Sequence, residues 1–314
     1  MRQAQQPMAE NDATRPTTFD LERYMKERTA LVEAALAEQV PQTAGPASRL
    51  AEAMRYSLLA GGKRLRPVLA LAAGEAVDGI CDTVLGFACA VEMIHTYSLI
   101  HDDLPCMDDD DLRRGRPTNH KVYGEAIATL AGDGLLTDAF RVLATSAAQQ
   151  RVPPEVAVVV VAELAEAAGS PGMVGGQVID LLGEGNELSL EELEYLHGRK
   201  TGALFEAAVC CGARLAGANE TQLAALRDYA QSVGLAFQVA DDLLDVQAVA
   251  EDVGKRTGKD EARGKATYPS LLGIARSREL ADKLADRACQ ALAGFDKRAE
   301  PLRALARFAV ERTL

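Results

Sequence analysis

Aspartate residues are crowded into one short segment of this chain, and their spacing is the first feature that could support chemistry. The segment HDDLPCMDDDDLRRGRP, residues 101–117, places six aspartates within ten residues and follows them with three arginines. Carboxylates packed this closely cannot all stay ionised unless cations compensate them. Mg²⁺ is suited to this task, because it combines one or two carboxylates with waters and a substrate phosphate. The segment therefore indicates a magnesium site, with a solvated acidic loop as the alternative.

The residues before the aspartates have the pattern of a helix that runs into the acidic segment. His95, Ser98 and Asp102 are spaced i, i+3 and i+7, so they share one helix face. Pro105 cannot continue that helix. We therefore expect the chain to bend there and to bring Asp108 back toward Asp102. An EF-hand is excluded, because the ligand rhythm of its loop is missing.

A second acidic motif, FQVADDLLD at residues 237–245, changes the interpretation of the first. Gln238, Asp241, Asp242 and Asp245 fall on one stripe of a predicted helix, and apolar residues surround that stripe. The carboxylates are therefore expected to face into the protein. Two aspartate stripes on separate helices that face a common cavity would form a multinuclear metal cage.

Basic and glycine-rich segments accompany the two acidic motifs. Backbone N–H groups together with Lys and Arg side chains near a helix start make a phosphate site. The candidates lie in GGKRLRP, RRG, RKTG and VGKRTGKDEARGKATYP, and they are Gly62, Lys63, Arg66, Arg113, Arg114, Lys200, Thr201, Lys255 and Lys265. Each cluster alone would be a solvated surface, which is the expectation for Arg64, Arg256 and Lys259. Combined with two acidic motifs, the set indicates a diphosphate bridged by metal ions.

The remaining chain reads as a series of helices that would position these residues. Asp20 is a candidate cap for a first helix with an apolar stripe of Leu21, Met25, Leu31 and Leu36. The strand-like run at 156–168 is assigned to a buried helix because of its length and its Ala/Glu tail. Strands and helices do not alternate regularly, so the predicted class is all-α. Residues 1–17 are expected to be a disordered tail, and 18–314 a single all-helical domain.

The amino-acid composition restricts the class of binding partner and the cellular location of the protein. The formal net charge of −12 argues against nucleic acid as a partner, because phosphate backbones demand clustered Lys and Arg. The polar N-terminus lacks the apolar segment of a secretory signal, and no stretch is expected to reach the roughly 20 apolar residues of a membrane span. None of the six cysteines forms a CxxC pair, which favours free thiols in a reducing compartment. A cytoplasmic protein without a membrane span is expected.

The motifs, taken in order, resemble those of the trans-isoprenyl diphosphate synthases, in particular short-chain enzymes such as bacterial farnesyl diphosphate synthase. They are GGKRLRP, DDLPCMD with LRRGRPTNH, MVGGQ, KTG, FQVADDLLD and GKRTGKD, and the resemblance extends from the first helix to KATYPSLLG. It implies an isoprenoid synthase fold, which is an antiparallel helical bundle around a deep central cavity. It also implies a homodimer.

The resemblance implies a role for each candidate residue. Three Mg²⁺ ions would bridge an allylic diphosphate to Asp102, Asp108 and Asp241, supported by Asp103, Asp242 and Asp245. The residues that hold the allylic diphosphate would be Arg113, Lys200 and Lys255, with Gln238 and Lys265 nearby. Those that hold isopentenyl diphosphate would be Gly62, Lys63, Arg66, His95 and Arg114. An allylic cation would be stabilised by oxygens of Lys200, Thr201 and Gln238.

Product length is expected to depend on side chains one to two turns before Asp102, since one helical turn rises about 5.4 Å, close to one isoprene unit. Those side chains are Tyr97, Ser98 and Ile94. In the family, an aromatic residue five positions before the motif, with the Pro-Cys insertion, looks like a farnesyl (C15) synthase. Tyr97 thus favours farnesyl diphosphate, and geranylgeranyl or geranyl diphosphate is the alternative.

Two remoter alternatives share parts of this pattern. A terpene cyclase has the same fold and first motif, but its second motif resembles N-D-x-x-S-x-x-x-E, whereas this chain carries DDLLD and GGKRLRP. A non-catalytic prenyltransferase subunit usually loses an aspartate motif, and both motifs are intact here.

Overall fold

The structure is a computed structural model that describes residues 19–40, 44–78, 82–183, 185, 188–251 and 266–311, with the backbone alone for 247–251. Its first helices are α1 (Leu21–Gln39), α2 (Ser48–Leu58), α3 (Leu65–Asp78), α4 (Asp82–Asp102), α5 (Asn119–Tyr123), α6 (Glu125–Gln149) and α7 (Pro154–Ala168). The later ones are α8 (Met173–Gly183), α9 (Leu190–His197), α10 (Ala203–Leu215), α11 (Glu220–Glu251), α12 (Tyr268–Leu272), α13 (Ile274–Ala291) and α14 (Glu300–Glu311). The predicted all-α class is confirmed, and a helix covers 156–168, but that helix is not buried as expected: Val158 and Val159 are 68 % and 39 % exposed, because only one face of it packs on the core.

Short elements complete the fold around the site. Strands β1 (Leu112–Arg113) and β2 (Arg116–Pro117) form an antiparallel hairpin between α4 and α5. A π-helical turn, Gly198–Gly202, joins α9 to α10, and a 3₁₀ turn, Lys297–Ala299, precedes α14. Single π-helical turns often occur at functional sites.

Helix α1 begins where the sequence predicts, but it buries a different face. The Asp20 side chain accepts a hydrogen bond from the Arg23 backbone N–H at 2.9 Å, which caps the helix. Leu36 is buried as expected, whereas Leu31 is 40 % exposed and its neighbour Val32 is fully buried. The buried stripe follows the i, i+4 spacing from Tyr24 through Val32 to Leu36, so the Leu31 assignment was wrong by one position.

Helix α4 is the central element, and it carries the first aspartates at its C-terminal end. It packs against α1, α2, α3, α6 and α10, so its side chains are buried on every side. Phe87, Met93 and Ile94 are completely inaccessible to solvent. Because a helix surrounded by other helices needs no polar face, α4 is apolar all round until it reaches its functional residues.

By length and composition, two described stretches could cross a membrane, Asp82–Asp102 and Pro154–Gly183, so the expectation that no stretch is apolar enough was wrong. The first is α4, in which 72 % of the apolar window is buried, so its hydrophobicity is that of a core helix. The second consists of α7 and α8 and is 33 % buried. It therefore leaves apolar side chains on the described surface.

A second core holds α3, α10, α11 and α14 together, and a third holds α9, α11, α12 and α13. The second core includes Phe205 and Tyr229, and the Tyr229 hydroxyl donates to the Leu302 carbonyl at 2.7 Å. The third includes Leu243 and Tyr268. Because α11 belongs to both cores, its aspartate motif is fixed relative to α3 on one side and α12 on the other.

Candidate active site

The acidic segment folds back onto the end of α4, as the proline in the motif predicts. The backbone N–H of Asp108 donates to the carbonyl of Asp102 at 2.8 Å, and that of Asp110 donates to the carbonyl of Asp103 at 3.2 Å. These bonds use backbone carbonyls that the last helical turn leaves without a helical partner. The predicted return of Asp108 toward Asp102 is confirmed.

Asp102 is a buried carboxylate, with 9 % of its surface exposed. It accepts a hydrogen bond from Gln177 Nε2 at 2.8 Å. Burial raises the pKa of Asp102 and Asp108 adds to the effect, while Lys200 and Gln177 act in the opposite direction. A carboxylate in this environment is a group that a nearby cation would stabilise in its charged form.

Lys200 supplies positive charge beside Asp102. Its Nζ lies 2.7 Å from Asp180 Oδ2. Although burial disfavours the ammonium, the carboxylates of Asp180, Asp102 and Asp108 raise its pKa overall, so Lys200 is charged at neutral pH. Asp102, Asp108 and Lys200 thus form one electrostatic neighbourhood, as their predicted roles require.

Helix α8 holds both of these charged groups, and the sequence did not assign its residues a role. Gln177 binds Asp102 and Asp180 binds Lys200, and they lie three positions apart on one helix face. Gly176 lies against the π-helical turn, where a Cβ would come within 2.7 Å of the Lys200 side chain. The sequence pattern that could have indicated this role is in MVGGQVID, where Gly176 is followed by the polar residues Gln177 and Asp180 at i+1 and i+4.

The β1–β2 hairpin carries Arg113, and Arg113 binds Asp103, to which a separate role was assigned. Arg113 donates from Nε at 2.7 Å to Asp103 Oδ1, and its second nitrogen lies 2.6 Å from the same oxygen. Burial raises the pKa of Asp103, and the Arg113 guanidinium opposes that shift. Asp103 was expected to support metal binding and Arg113 to bind a diphosphate, but in the structure they bind each other. Asp111 binds Lys121 at 2.7 Å, which ties the segment to α5.

A cavity of about 380 Å³ gathers the residues expected to hold isopentenyl diphosphate. Those residues are Gly62, Lys63, Arg66, His95 and Arg114, and Arg64, Leu65, Glu92 and Phe237 complete the described lining. They come from the loop before α3, from α3, α4 and α11, and from the hairpin turn. We call this space the basic cavity.

Gly62 is required by the close approach of Arg114. Its φ of +131° lies in a region that favours glycine, and a Cβ at this position would overlap the Arg114 guanidinium. That guanidinium donates to the carbonyl of Gly61. The glycine pair therefore makes room for a cation at the rim of the basic cavity.

The charges within the basic cavity alter one another. Burial, together with Arg66 and Arg114, lowers the pKa of His95 well below 6.5, so its imidazole is neutral. Burial lowers the pKa of Arg66 to about 10, while Glu92 and Asp241 oppose the shift. Arg66 also stacks over the Phe205 ring, with 5.0 Å from the guanidinium carbon to the ring centroid. A cavity with this lining is suited to a multiply charged anion.

Arg64 is not the solvated residue that was expected. It is 3 % exposed, donates to Glu92 Oε1 at 2.7 Å and donates to the Leu58 carbonyl at 2.7 Å. Its backbone φ of +46° is unusual for a residue other than glycine. The expectation failed because its partners lie on two other elements, Leu58 on α2 and Glu92 on α4, and only the packing of those helices brings them to Arg64.

The FQVADDLLD stripe of α11 divides between two surroundings. Gln238 and Asp242 line a second cavity, of about 160 Å³, together with Lys200 and Thr201. Asp242 is 7 % exposed, and its carboxylate accepts the backbone N–H of Tyr268 at 2.9 Å. This bond fixes the start of α12, which gives Asp242 a structural role that the sequence did not indicate.

The other two aspartates of the stripe differ in exposure. Asp241 is half-buried and acts electrostatically on Arg66, so it lies toward the basic cavity, whereas Asp245 is exposed. The predicted stripe thus reaches both cavities.

The six aspartates predicted as metal ligands all lie within the described residues. Within the described ranges, no three His, Cys, Asp or Glu side chains are close enough to form a ready-made metal site. Lys255, Arg256, Lys259 and Lys265 lie outside those residues. The donors at the motif are carboxylate oxygens, and Asp102 is buried with a raised pKa. This donor chemistry fits Mg²⁺, a hard cation that prefers oxygen ligands.

The proposed length-determining residues are all buried along α4. Tyr97 is 4 % exposed, and burial and Asp102 raise its pKa to about 12. Its ring lies edge-on to His101, with centroids 5.7 Å apart. The Ser98 hydroxyl donates to the His95 carbonyl at 2.8 Å, and Ile94 is fully inaccessible. These side chains are packed tightly one to two turns before Asp102.

Comparisons with known proteins agree with this geometry. Residues 47–299 match the profile described as polyprenyl synthetase. The chain is 50 % identical to the heterodimeric geranylgeranyl pyrophosphate synthase large subunit 1, chloroplastic, of Arabidopsis thaliana, over 93 % of this chain and 80 % of that one. It is also 50 % identical to a dimethylallyltranstransferase of Fischerella ambigua, over 94 % and 85 %.

A solved structure matches with a TM-score of 0.83 and 41 % identity, covering 92 % of this chain and 98 % of its own. It is an FPP/GFPP synthase from Zymomonas mobilis in its apo form.

Proposed function

The chain belongs to the polyprenyl synthetase family and is a prenyltransferase, and we propose that it condenses isopentenyl diphosphate with allylic diphosphates in the presence of Mg²⁺. The observation that carries the proposal is the arrangement of two charged sites. The basic cavity, with Lys63, Arg66 and Arg114, lies beside a carboxylate site at Asp102 that contains Lys200. This arrangement suits two diphosphates, one of them bound with a metal.

We propose geranylgeranyl diphosphate as the product. The relative from Arabidopsis thaliana, identical at half of the aligned positions, is named for that product, which favours C20 over the farnesyl product expected from the motif. Farnesyl diphosphate is the second candidate. The bulky Tyr97 side chain, buried five positions before Asp102, favours the shorter chain.

Asp102, Asp108 and Asp241 would hold the metal, with Asp103, Asp242 and Asp245 in support. Bound Mg²⁺ would neutralise negative charge on the departing diphosphate and so favour cleavage of the allylic C–O bond. Gln177 and Lys200 support this role because they orient and partly compensate Asp102.

The protein's own side chains would position the two substrates. Lys200 and Arg113 are charged at neutral pH and would hold the allylic diphosphate, while the basic cavity would hold isopentenyl diphosphate. Lys200, Thr201 and Gln238 share the wall of the second cavity, where their oxygens would stabilise positive charge at the allylic C1. The double bond of isopentenyl diphosphate would attack C1, and the released diphosphate would accept the proton.

We also propose a homodimer in the cytoplasm. Exposed apolar side chains on α6 and α7, which pack together, offer a surface for a second copy: Leu130, Val158 and Val159 are 52 %, 68 % and 39 % exposed. The Arabidopsis relative is named as the large subunit of a heterodimer, so a different partner chain is the alternative occupant.

The test is incubation of the purified chain with labelled isopentenyl diphosphate, Mg²⁺ and, in turn, dimethylallyl, geranyl or farnesyl diphosphate. We expect products of C20 length, no turnover with EDTA, and a loss of at least about a hundredfold in kcat for Asp102→Asn. Products that stop at C15 would favour the second candidate. No incorporation with any starter would reject the proposed reaction.

A further inference from the structure

Glu92 is a buried acid inside the basic cavity. It is 2 % exposed and is the one acidic residue among the described side chains that line this space. Burial of a carboxylate is costly unless it is paired. Its presence in a cavity suited to a diphosphate, which it would repel, therefore calls for a physical reason.

The reason lies in the contacts of Arg64. Glu92 Oε1 accepts from Arg64 Nη1 at 2.7 Å, and Arg64 Nη2 donates to the Leu58 carbonyl at 2.7 Å. The same guanidinium lies 3.6 Å from Glu33 on α1. One side chain in the GGKRLR loop is thus fixed to α1, α2 and α4.

The backbone of the loop depends on this anchor. Arg64 holds a left-handed φ of +46°, and Gly62 precedes it at +131°. A left-handed non-glycine residue persists where surrounding structure compensates its cost. The buried bonds of Arg64 supply that compensation, and they place Lys63, which precedes it in the loop, and Arg66, in the first turn of α3, at the cavity.

Glu92 also acts on the other cations. Burial lowers the pKa of Arg66 and of Arg114, and Glu92 opposes both shifts. Arg64 and Arg113 add repulsion at Arg114. A negative charge among these guanidiniums keeps them together before any diphosphate arrives.

We propose that Glu92, acting through Arg64, is a positioning residue for the second diphosphate. It contributes no bond to the substrate; it holds the GGKRLR loop and its cations in the arrangement that the substrate meets. The inference rests on the proposed function, because it assigns Glu92 to the site for isopentenyl diphosphate.

The direction in which the KM for isopentenyl diphosphate changes distinguishes a positioning role of Glu92 from simple repulsion. Glu92→Gln removes a negative charge and keeps the shape of the side chain. If Glu92 only repelled the diphosphate, its loss would lower the KM for isopentenyl diphosphate. If it positions the loop, its loss raises that KM, because Arg64 is left with a weaker partner and the cations of the cavity repel one another.

The experiment compares Glu92→Gln with Glu75→Gln in the full chain. Glu75 is a matched control: it pairs with Arg28 at 2.6 Å, with 13 % of its side chain exposed, and does not line the described cavity. For Glu92→Gln we expect the KM of isopentenyl diphosphate to rise about tenfold, which corresponds to the loss of one charged hydrogen bond. The KM of the allylic diphosphate and kcat should change less than about threefold, and the control should leave all three constants close to the parent values.

Arg64→Lys gives a second, independent readout, since it keeps the charge but cannot bridge Glu92 and Leu58 together. It should raise the same KM in the same direction, even if Glu92→Gln does not fold. An unchanged or lower KM for isopentenyl diphosphate in the folded variants would overturn the inference. Equal changes in both KM values, or an equal effect of Glu75→Gln, would also overturn it, since they indicate a general structural role. Absence of condensation by the parent chain would instead reject the proposed function.

Discussion

Asp102 and Lys200 are charged groups that act on each other at the acidic motif, and each is held by one side chain of α8. Gln177 donates to Asp102, and Asp180 accepts from Lys200. These bonds fix the carboxylate and the ammonium before substrate binds, which lowers the cost of organising them later. Replacement of either α8 residue would therefore disturb the site without removing a group that contacts substrate.

At the residue scale, Tyr97→Ala should lengthen the product by about one isoprene unit. The aromatic ring is buried five residues before Asp102, and its removal opens space of about one helical turn, roughly 5.4 Å, along α4. Product sizing by mass spectrometry checks this. Phe87→Ala is the control, since Phe87 is buried on the same helix far from the motif. It should destabilise the protein by about 3–5 kcal/mol and leave the product length unchanged. The same product length from Tyr97→Ala would remove Tyr97 from the proposed floor.

His197 makes the stability of the protein depend on pH. Burial, with Lys200 adding to it and Asp180 opposing it, lowers the pKa of His197 from 6.5 to about 4. The unfolded chain therefore binds more protons between these values, and stability is lost as the pH falls from about 6.5 toward 4. We expect about 3 kcal/mol of this loss to arise from His197.

Urea unfolding at pH 7 and pH 4.5 measures this dependence. The variant His197→Asn, which cannot be protonated, should lose correspondingly less free energy of unfolding between the two conditions. Equal losses of unfolding free energy in the parent and the variant would show that other groups cause the acid sensitivity.

At the scale of elements, the contact between α8 and the π-helical turn determines where Lys200 lies. The turn inserts an extra residue between α9 and α10, and the backbone N–H of Ala203 donates to the carbonyl of Gly198 across five residues. Gly176 of α8 lies directly against the turn, because a Cβ there would meet the backbone of Lys200. The active position of Lys200 thus depends on a glycine in another helix.

Gly176→Ala should therefore reduce both stability and activity. Overpacking of this contact is expected to cost about 1–3 kcal/mol and to displace Lys200 from Asp102 and Asp180. Urea unfolding and steady-state kinetics measure the two effects.

Gly198→Ala is the matched control within the turn itself. Its backbone has a helical φ of −59°, and a Cβ there would meet nothing within 4 Å. This variant should keep the parent stability or exceed it slightly, since alanine has the higher helix propensity. If both variants behave alike, the α8 contact does not determine the position of Lys200.

At the scale of the whole molecule, α6 and α7 leave apolar side chains uncovered on the described surface. Leu130 on α6 and Val158 on α7 are each more than half exposed. An interface between two copies would remove this surface from water. The same helices also bound the core around α4, so an interface there would support the helix that carries Asp102.

Light scattering after size exclusion should give twice the chain mass of 33.4 kDa. The double variant Leu130→Glu, Val158→Glu should elute as a monomer, because charged side chains would be buried without partners. Leu182→Glu serves as the control, since Leu182 is 72 % exposed on α8 rather than on α6 or α7, and should leave the mass unchanged. A parent chain that is monomeric at micromolar concentration would contradict the homodimer proposal.

Local sequence patterns were sufficient to predict the class of fold and the residues of both acidic motifs. Helical spacing placed His95 and Asp102 on one face, and Pro105 predicted the return of Asp108, because these depend on local backbone geometry. Motif order was sufficient to identify the family, since it combines two aspartate motifs with several basic and glycine-rich segments.

Which charges pair with each other depends on how the helices pack, and local patterns did not show it. Arg64 was expected in solvent and is buried against Glu92, Asp103 pairs with Arg113, and Asp242 binds the start of α12. Gln177 and Asp180 gained roles because α8 packs against the end of α4 and the π-helical turn. These partners lie ten to seventy-five residues apart along the chain. The free energy of such pairs depends on distance and burial, which helix packing determines and local spacing does not.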